Sequence, residues 1–333
     1  MRSLTTRVDV FDLKQPFTIS TGTIRSLAIL YAEIEEDGFV GRGECVPSAE
    51  NMVSIAEGKD IAHSASREIE RLRNDIERGL NRADLQRALP AGPPRNALDC
   101  ALWDLECKRQ EKEKPFQIRK DEPFILQTAS TIPLASPENM AKAAAMYANR
   151  PLLKLKLGGQ NDLECMAAVR EEAPVPKIIV DVNGGWDLDR LVRMSEGFVD
   201  YDVSLIEQPL QAGHDEELYR FDAPIPLCAD ESCHDRSDLD YVADRYRFIN
   251  IKLDKCGGPT EAMAMIEEAK SRNLGLMVGC MAGTSLSMIP AAHVGRHCEF
   301  VDLDGPQLLA KDRWPAIRYE NGCFSSNRPD IWG

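Results

Sequence analysis

The stretch LLKLKLGG, residues 152–159, alternates charge and leucine. Side chains along a strand point to opposite faces in turn, so Lys154 and Lys156 share one face while Leu153, Leu155 and Leu157 share the other. Seven further runs of this kind follow one another: FILQTAST (124–131), KIIVDVNGG (177–185), VSLIEQPL (203–210), IPLCADES (225–232), FINIKLDKCGG (248–258), GLMVGCM (275–281) and EFVDLDGP (299–306). Amphipathic stretches such as SPENMAKAAAMYANR and GPTEAMAMIEEAKSRN lie between several of them. Strand alternating with helix implies parallel strands with helices outside, and eight repeats close a barrel. The expected fold is therefore α/β, a (β/α)8-type TIM barrel in its modified (β/α)7β form. An open doubly wound sheet is the alternative, but no G-x-G-x-x-G fingerprint follows a first strand.

The first 120 residues have another rhythm. TTRVDVFDL, LAILYAEIEED and FVGRGECVP read as an antiparallel meander with a turn at Glu36-Asp37-Gly38, followed by helical stretches at about Ser54–Leu80 and Pro94–Glu111. We expect an N-terminal α+β capping domain over 1–118, a barrel over 119–314, and a tail over 315–333 that returns to the cap.

Charge gathers where the barrel strands end, the place where βα loops carry chemistry in such folds. Lys154 and Lys156, Asp181 and Asn183, Glu207, Asp230 and Glu231, Lys252, and Asp302 with Asp304 interrupt buried-strand patterns rather than loop patterns. The outward positions are apolar and suit helix packing, so the charged set points into the barrel mouth. Buried charges cost several kcal/mol each unless paired or metal-bound, which makes an incidental cluster a poor explanation.

Composition narrows the field. A formal charge of −14 over 333 residues disfavours nucleic acid, whose phosphates repel such a surface. No run approaches the ~18 apolar residues of a membrane span, and the N-terminus lacks the apolar stretch of a signal peptide. The ten cysteines contain no Cys-x-x-Cys and read as reduced thiols of a cytoplasmic protein. His293, His297 and Cys298 form the alternative metal set, for zinc. A small-molecule substrate remains, in a chain compatible with a homo-oligomer.

Asp181, Glu207 and Asp230, from three neighbouring strands, are hard oxygen ligands that suit Mg²⁺. An ion there would bind a substrate carboxylate and stabilise the enediolate left when an α-proton departs. Lys156 and Lys252 flank the acids from opposite sides. A second lysine and a dication should draw such an amine from ~10.4 towards roughly 7–8, where it acts as a base. Lys154 supplies part of that depression to Lys156. Two bases on opposite faces of one planar intermediate give a racemase or epimerase.

Lys-x-Lys, DVN, IEQP, ADES, NIKLDKCGG, GCM and DLDGP, preceded by NALDCALWDLECK, make the chain similar to the enolase superfamily, to its muconate lactonising enzyme subgroup, and most closely to the dipeptide epimerases. The resemblance implies an isomerase with one Mg²⁺ on Asp181, Glu207 and Asp230, and Lys156 and Lys252 as acid/base catalysts. It places Lys154 beside the substrate carboxylate, and Asp302 and Asp304 on the free ammonium of a dipeptide such as L-Ala-D/L-Glu from peptidoglycan turnover. Lys255 falls in the turn, on the opposite alternation to Lys252, and is expected to play no part. The chain departs from the family in its cap loops. Thr21 and Glu50 stand where relatives that use glutamate carry basic residues, and Arg25 is the candidate to supply the lost charge. Gly283 and Ser285 bring no charge. The remaining alternatives are racemisation of an N-acyl amino acid such as N-acetylglutamate, cycloisomerisation or o-succinylbenzoate synthesis, and a catalytically silent metal-binding barrel.

Overall fold

The computed structural model describes residues 2–48, 53–109, 124–326 and 330–333. The N-terminal part opens with an antiparallel meander, β1 (Ser3–Ile19), β2 (Gly22–Glu36) and β3 (Phe39–Cys45), in the order β1-β2-β3. Asp37 and Gly38 turn between β2 and β3 with φ of 53° and 83°, the left-handed pair that a tight hairpin needs. Four helices follow, α1 (Ile55–Arg71), α2 (Arg73–Glu77), α3 (Arg82–Ala88) and α4 (Pro93–Lys108). The α4 helix lies directly on β3: a Cβ at Gly41 would come within 2.1 Å of the Ala101 carbonyl oxygen.

The first expected barrel run divides in two. β4 (Phe124–Gln127) leaves the barrel and pairs with the tail strands β13 (Arg318–Glu320) and β14 (Cys323–Ser326) in the order β13-β14-β4, and only β5 (Ser130–Ile132) enters the barrel. Gln127 pairs with Cys323, and Thr128 N bonds Gly322 O, so the chain changes sheets within three residues. The barrel then runs α5 (Pro137–Tyr147), β6 (Leu152–Lys156), α6 (Asp162–Glu172), β7 (Lys177–Asp181), α7 (Leu188–Val199) and β8 (Val203–Glu207). A single 3₁₀ turn at Glu216–Leu218 replaces the next helix. β9 (Leu227–Ala229), α8 (Leu239–Ala243), β10 (Phe248–Ile251), α9 (Leu253–Cys256), α10 (Pro259–Ser271), β11 (Gly275–Gly279), α11 (Ser285–Gly295), β12 (Phe300–Asp302) and α12 (Gly305–Leu308) complete it. Strands β5 to β12 form one parallel sheet in chain order, and Ala129 N to Val301 O (2.8 Å) bridges its two edges. β13 and β14 follow. Beyond them Trp332 Nε1 donates to Cys100 O and Gly333 N to Asp104 Oδ1, both on α4.

Alternation sorts the barrel interior into two floors. Ile179, Leu205, Cys228 and Met277 cluster inside, with Leu152, Phe248 and Phe300 against them. Two residues further along these strands come Asp181, Glu207, Asp230, Lys154, Asn250 and Asp302. Leu153, Leu155, Val180 and Ile206 face the helices instead. An apolar plug therefore supports an ionic layer at the strands' C-terminal ends.

Candidate active site

The ionic layer opens into a cavity of about 330 Å³. Asp181, Glu207 and Asp230 are fully buried, and among the described residues they form the one acid, His or Cys group able to hold a metal, with ligand oxygens within 4.8 Å of one another. Adjacent strand ends deliver them: Asp181 pairs with Glu207 in register, and Glu207 with Cys228, two residues before Asp230. Three carboxylates fit a hard dication. Glu207 Oε2 makes no hydrogen bond, although Lys154 Nζ lies 2.8 Å away, so it is a donor atom left available. The zinc alternative finds no support. His293 is buried on α11 beside Trp332, while His297 is exposed past that helix.

The lysines hold the acids together. Lys154 Nζ lies 2.9 Å from Asp181, 2.8 Å from Glu207 and 2.8 Å from Asp302. Lys156 donates to Asp181 at 2.6 Å and to Asn183 at 3.1 Å. Lys252 donates to Asp230 at 2.5 Å. Sheet order puts Lys156 on β6 and Lys252 just past β10, with β7, β8, β9 and the acids between them. Strands four apart in an eight-stranded barrel are diametrically opposed, so the two amines face each other across the acids.

One expectation changes here. Lys255 is not a bystander: the strand ends at Ile251, α9 begins at once, and one helical turn brings Lys255 back beside Lys252. Its Nζ bonds Asp230 Oδ1 at 2.6 Å, Asn250 O at 3.0 Å and Asp230 O. The same early helix carries Asp254 away to the cap, where Asn96 Nδ2 donates to it at 2.7 Å. Burial opposes the charge of Lys154 and Lys252, but Asp181, Asp302 and Glu207 outweigh it at Lys154, and Asp230 with Glu207 and Glu231 does so at Lys252, so the carboxylates by themselves raise both. Burial would raise Asp181 and Asp230, yet the lysines hold both down. At Glu207 burial and the Asp181 charge prevail and the carboxyl rises.

Supporting residues went unassigned in the sequence. Asn250, at the inward phase two before Lys252, donates to Glu207 Oε1 at 2.7 Å. Gln208 Oε1 accepts from Asp230 N (2.9 Å) and Ser232 N (3.0 Å), which locks the β9 loop to the β8 loop. Gln208 and Asn183 hold φ of 38° and 49°, strained values for side-chain-bearing residues of the sort that gather at functional sites.

Asp302 and Asp304 do meet at the last strand end. Asp302 Oδ2 takes Lys154, and Asp304 Oδ2 accepts from Thr131 N at 2.7 Å. Burial and the Asp302 charge raise the Asp304 carboxyl. From the cap, the β1–β2 hairpin closes over the mouth: Ser20 Oγ donates to Val182 O at 3.1 Å, and Thr21 lines the cavity. Arg25 does not join the lining. Ile24 and Ser26 take the inward phase of β2 and leave Arg25 exposed on the outer face. Glu50 lies outside the described residues.

Comparison with known proteins agrees with this fold. Residues 1–113 match the mandelate racemase/muconate lactonizing enzyme N-terminal domain, and residues 138–324 match the enolase C-terminal domain-like family. The chain is 39% identical to L-Ala-D/L-Glu epimerase of Escherichia coli over 97% of its own length and 99% of the relative's. It is also 39% identical to N-acetyl-D-glutamate racemase of a Pseudoalteromonas species, over 90% and 93%. The structure of an enolase family member from Agrobacterium tumefaciens with homology to dipeptide epimerases, containing sodium and L-Ala-L-Glu, superposes with a TM-score of 0.92 at 44% identity, covering 100% of both chains. Both family domains match in order over most of the chain, and it belongs to the mandelate racemase/muconate lactonizing enzyme group of the enolase superfamily.

Proposed function

We propose that the protein is a Mg²⁺-dependent dipeptide epimerase that moves a proton at the α-carbon of the dipeptide's C-terminal residue. The observation that carries this reading is the opposition of Lys156 and Lys252 across Asp181, Glu207 and Asp230. A substrate whose carboxylate sits over the acids has its α-carbon between two amines, one of which takes the proton while the other returns it on the opposite face. Mg²⁺ held by Asp181, Glu207 and Asp230 would polarise that carboxylate and offset the charge that develops as the proton leaves. Lys154 sits where it can contact the same carboxylate, and the cap hairpin limits the access of water. Asp302 and Asp304 suit the free ammonium of the N-terminal residue. Small dipeptides of the kind that peptidoglycan turnover releases form the matching substrate pool. The ten cysteines form no disulfide, which fits a cytoplasmic location.

The test is incubation of the purified chain with a dipeptide panel and Mg²⁺ in D₂O. Deuterium should appear at the C-terminal residue's α-carbon, with both epimers forming, and a chelator should stop the exchange until Mg²⁺ is restored. Absence of exchange across the panel would refute the reading. One observation favours a second reading, racemisation of an N-acyl amino acid: Lys154 already pairs with Asp302, which lessens that acid's need for a substrate ammonium. Exchange into N-acetylglutamate but into no dipeptide would establish it.

A further inference from the structure

Building on the dipeptide reading above, we infer that the subsite beneath the β1–β2 hairpin takes an apolar, uncharged side chain on the C-terminal residue, so the substrates are dipeptides ending in aliphatic or aromatic residues rather than in an acid. The cavity's chemistry is divided. Its barrel floor carries the ionic layer, whereas its cap side presents Phe17, Ile19, Thr21, Ile24, Val53 and Ile55. The α-carbon held between Lys156 and Lys252 directs its fourth substituent away from the acids, towards that cap wall.

An acidic side chain would need a cation there. Among the described residues, the cations lining the cavity are Lys154, Lys156, Lys252 and Lys255. Each lies within 2.9 Å of a carboxylate: Lys154 and Lys156 on Asp181, Lys252 and Lys255 on Asp230. All four belong to the floor. Residues 49–52, Ala-Glu-Asn-Met, bring no cationic side chain by composition. Arg25, the nearest cation along the hairpin, stands on the outer phase of β2. A carboxylate pushed against this wall would exchange water for hydrocarbon and a few hydroxyls, which is unfavourable, whereas an apolar side chain gains by the same transfer. A cavity of about 330 Å³ is at the small end of ligand sites, near ~300–1,000 Å³, and admits a dipeptide with little spare room for solvent around its side chain.

The experiment measures kcat/KM for α-proton exchange with L-Ala-L-Leu, L-Ala-L-Met, L-Ala-L-Phe and L-Ala-L-Glu, using the full chain with Mg²⁺ in D₂O. At least one apolar dipeptide should exceed L-Ala-L-Glu by roughly tenfold or more, the scale on which a pocket discriminates by one unmatched group. Ile24→Arg, which puts a cation on the inward phase, should then shrink that ratio about tenfold, mainly by raising L-Ala-L-Glu. The wild-type panel decides the matter without the variant. A smaller margin, or preference for L-Ala-L-Glu, overturns the subsite assignment and leaves the epimerase standing. Exchange with none of the four overturns the dipeptide reading and this inference with it.

Discussion

Lys252 and Lys255, one helical turn apart, close on the two oxygens of a single carboxylate, Asp230, at 2.5 and 2.6 Å. Their positions differ in what else they satisfy. Among the described residues Lys252 donates to Asp230 alone, while Lys255 also donates to the carbonyls of Asp230 and Asn250. Leaving a buried acceptor unpaired costs about 1–3 kcal/mol. Lys255→Met should therefore destabilise the fold by about 2–4 kcal/mol more than Lys252→Met, read as the difference in chemical-denaturation midpoints multiplied by the slope. Equal losses would mean that Lys255 does not brace this corner of the barrel.

The opposed amines make a directional prediction. Lys156→Ala and Lys252→Ala should each abolish epimerisation, with losses of about 10²–10⁴-fold or more for a missing acid/base group. Each variant keeps one base, so each should still exchange the α-proton of one epimer in D₂O without inverting it, and the two variants should choose opposite epimers. Exchange is followed by mass spectrometry on each separated epimer. Full two-way turnover in either variant would rule out the two-base scheme.

Much of this site was legible in the chain because barrel strands obey a period of two. The inward phase that contains Lys154 and Lys156 also fixes Ile179 below Asp181 and Leu205 below Glu207, so an apolar floor and an ionic ceiling are written in the same residues. Legibility ended where the period changed. Strand alternation does not extend past Ile251 into the residues that form α9, and assuming it hides Lys255. Nothing local marks that change, since Leu253–Cys256 suits either state. Arg25 failed for a related reason: the phase of β2 is set by the two-residue turn Ser20-Thr21 and by the contact of Ser20 with Val182, across 162 positions. The division of 124–131 between two sheets depends on the tail strand β14, which lies some 200 residues later.

Asp304 gives the site a pH signature. Burial and the Asp302 charge raise its carboxyl to about 7, so it is largely neutral below that pH and anionic above it. A free ammonium binds the anion better. KM for a dipeptide should fall as pH rises from about 6 to 8, while KM for the corresponding N-acetyl amino acid, if it reacts, should not follow. Asp304→Asn should flatten the dipeptide profile and raise its KM at pH 8. A profile for Asp304→Asn identical to that of the wild type would show that Asp304 does not receive the ammonium.

Asp99 carries a stability signature at the junction of cap and barrel. It is fully buried on α4, where it accepts from Thr260 N and Thr260 Oγ1 of α10, both at 2.8 Å. Burial outweighs those hydrogen bonds and moves its carboxyl up to about 6, against ~3.9 in an unfolded chain. The folded state thus binds this proton more tightly than the unfolded one. The associated stabilisation is complete below ~3.9 and is lost as pH climbs through about 6, on the order of 3 kcal/mol in all. Asp99→Asn keeps the shape and an acceptor for Thr260 N but cannot ionise. Its stability relative to the wild type should therefore rise between pH 4 and 7, whichever protein is the more stable at the start, and the comparison cancels the titrations that both share. Parallel melting curves at half-unit pH steps measure the difference. If it stays constant across that window, Asp99 ionises as freely in the folded chain as in the unfolded one, and the buried contact with Thr260 is not the pH-sensitive element of the junction.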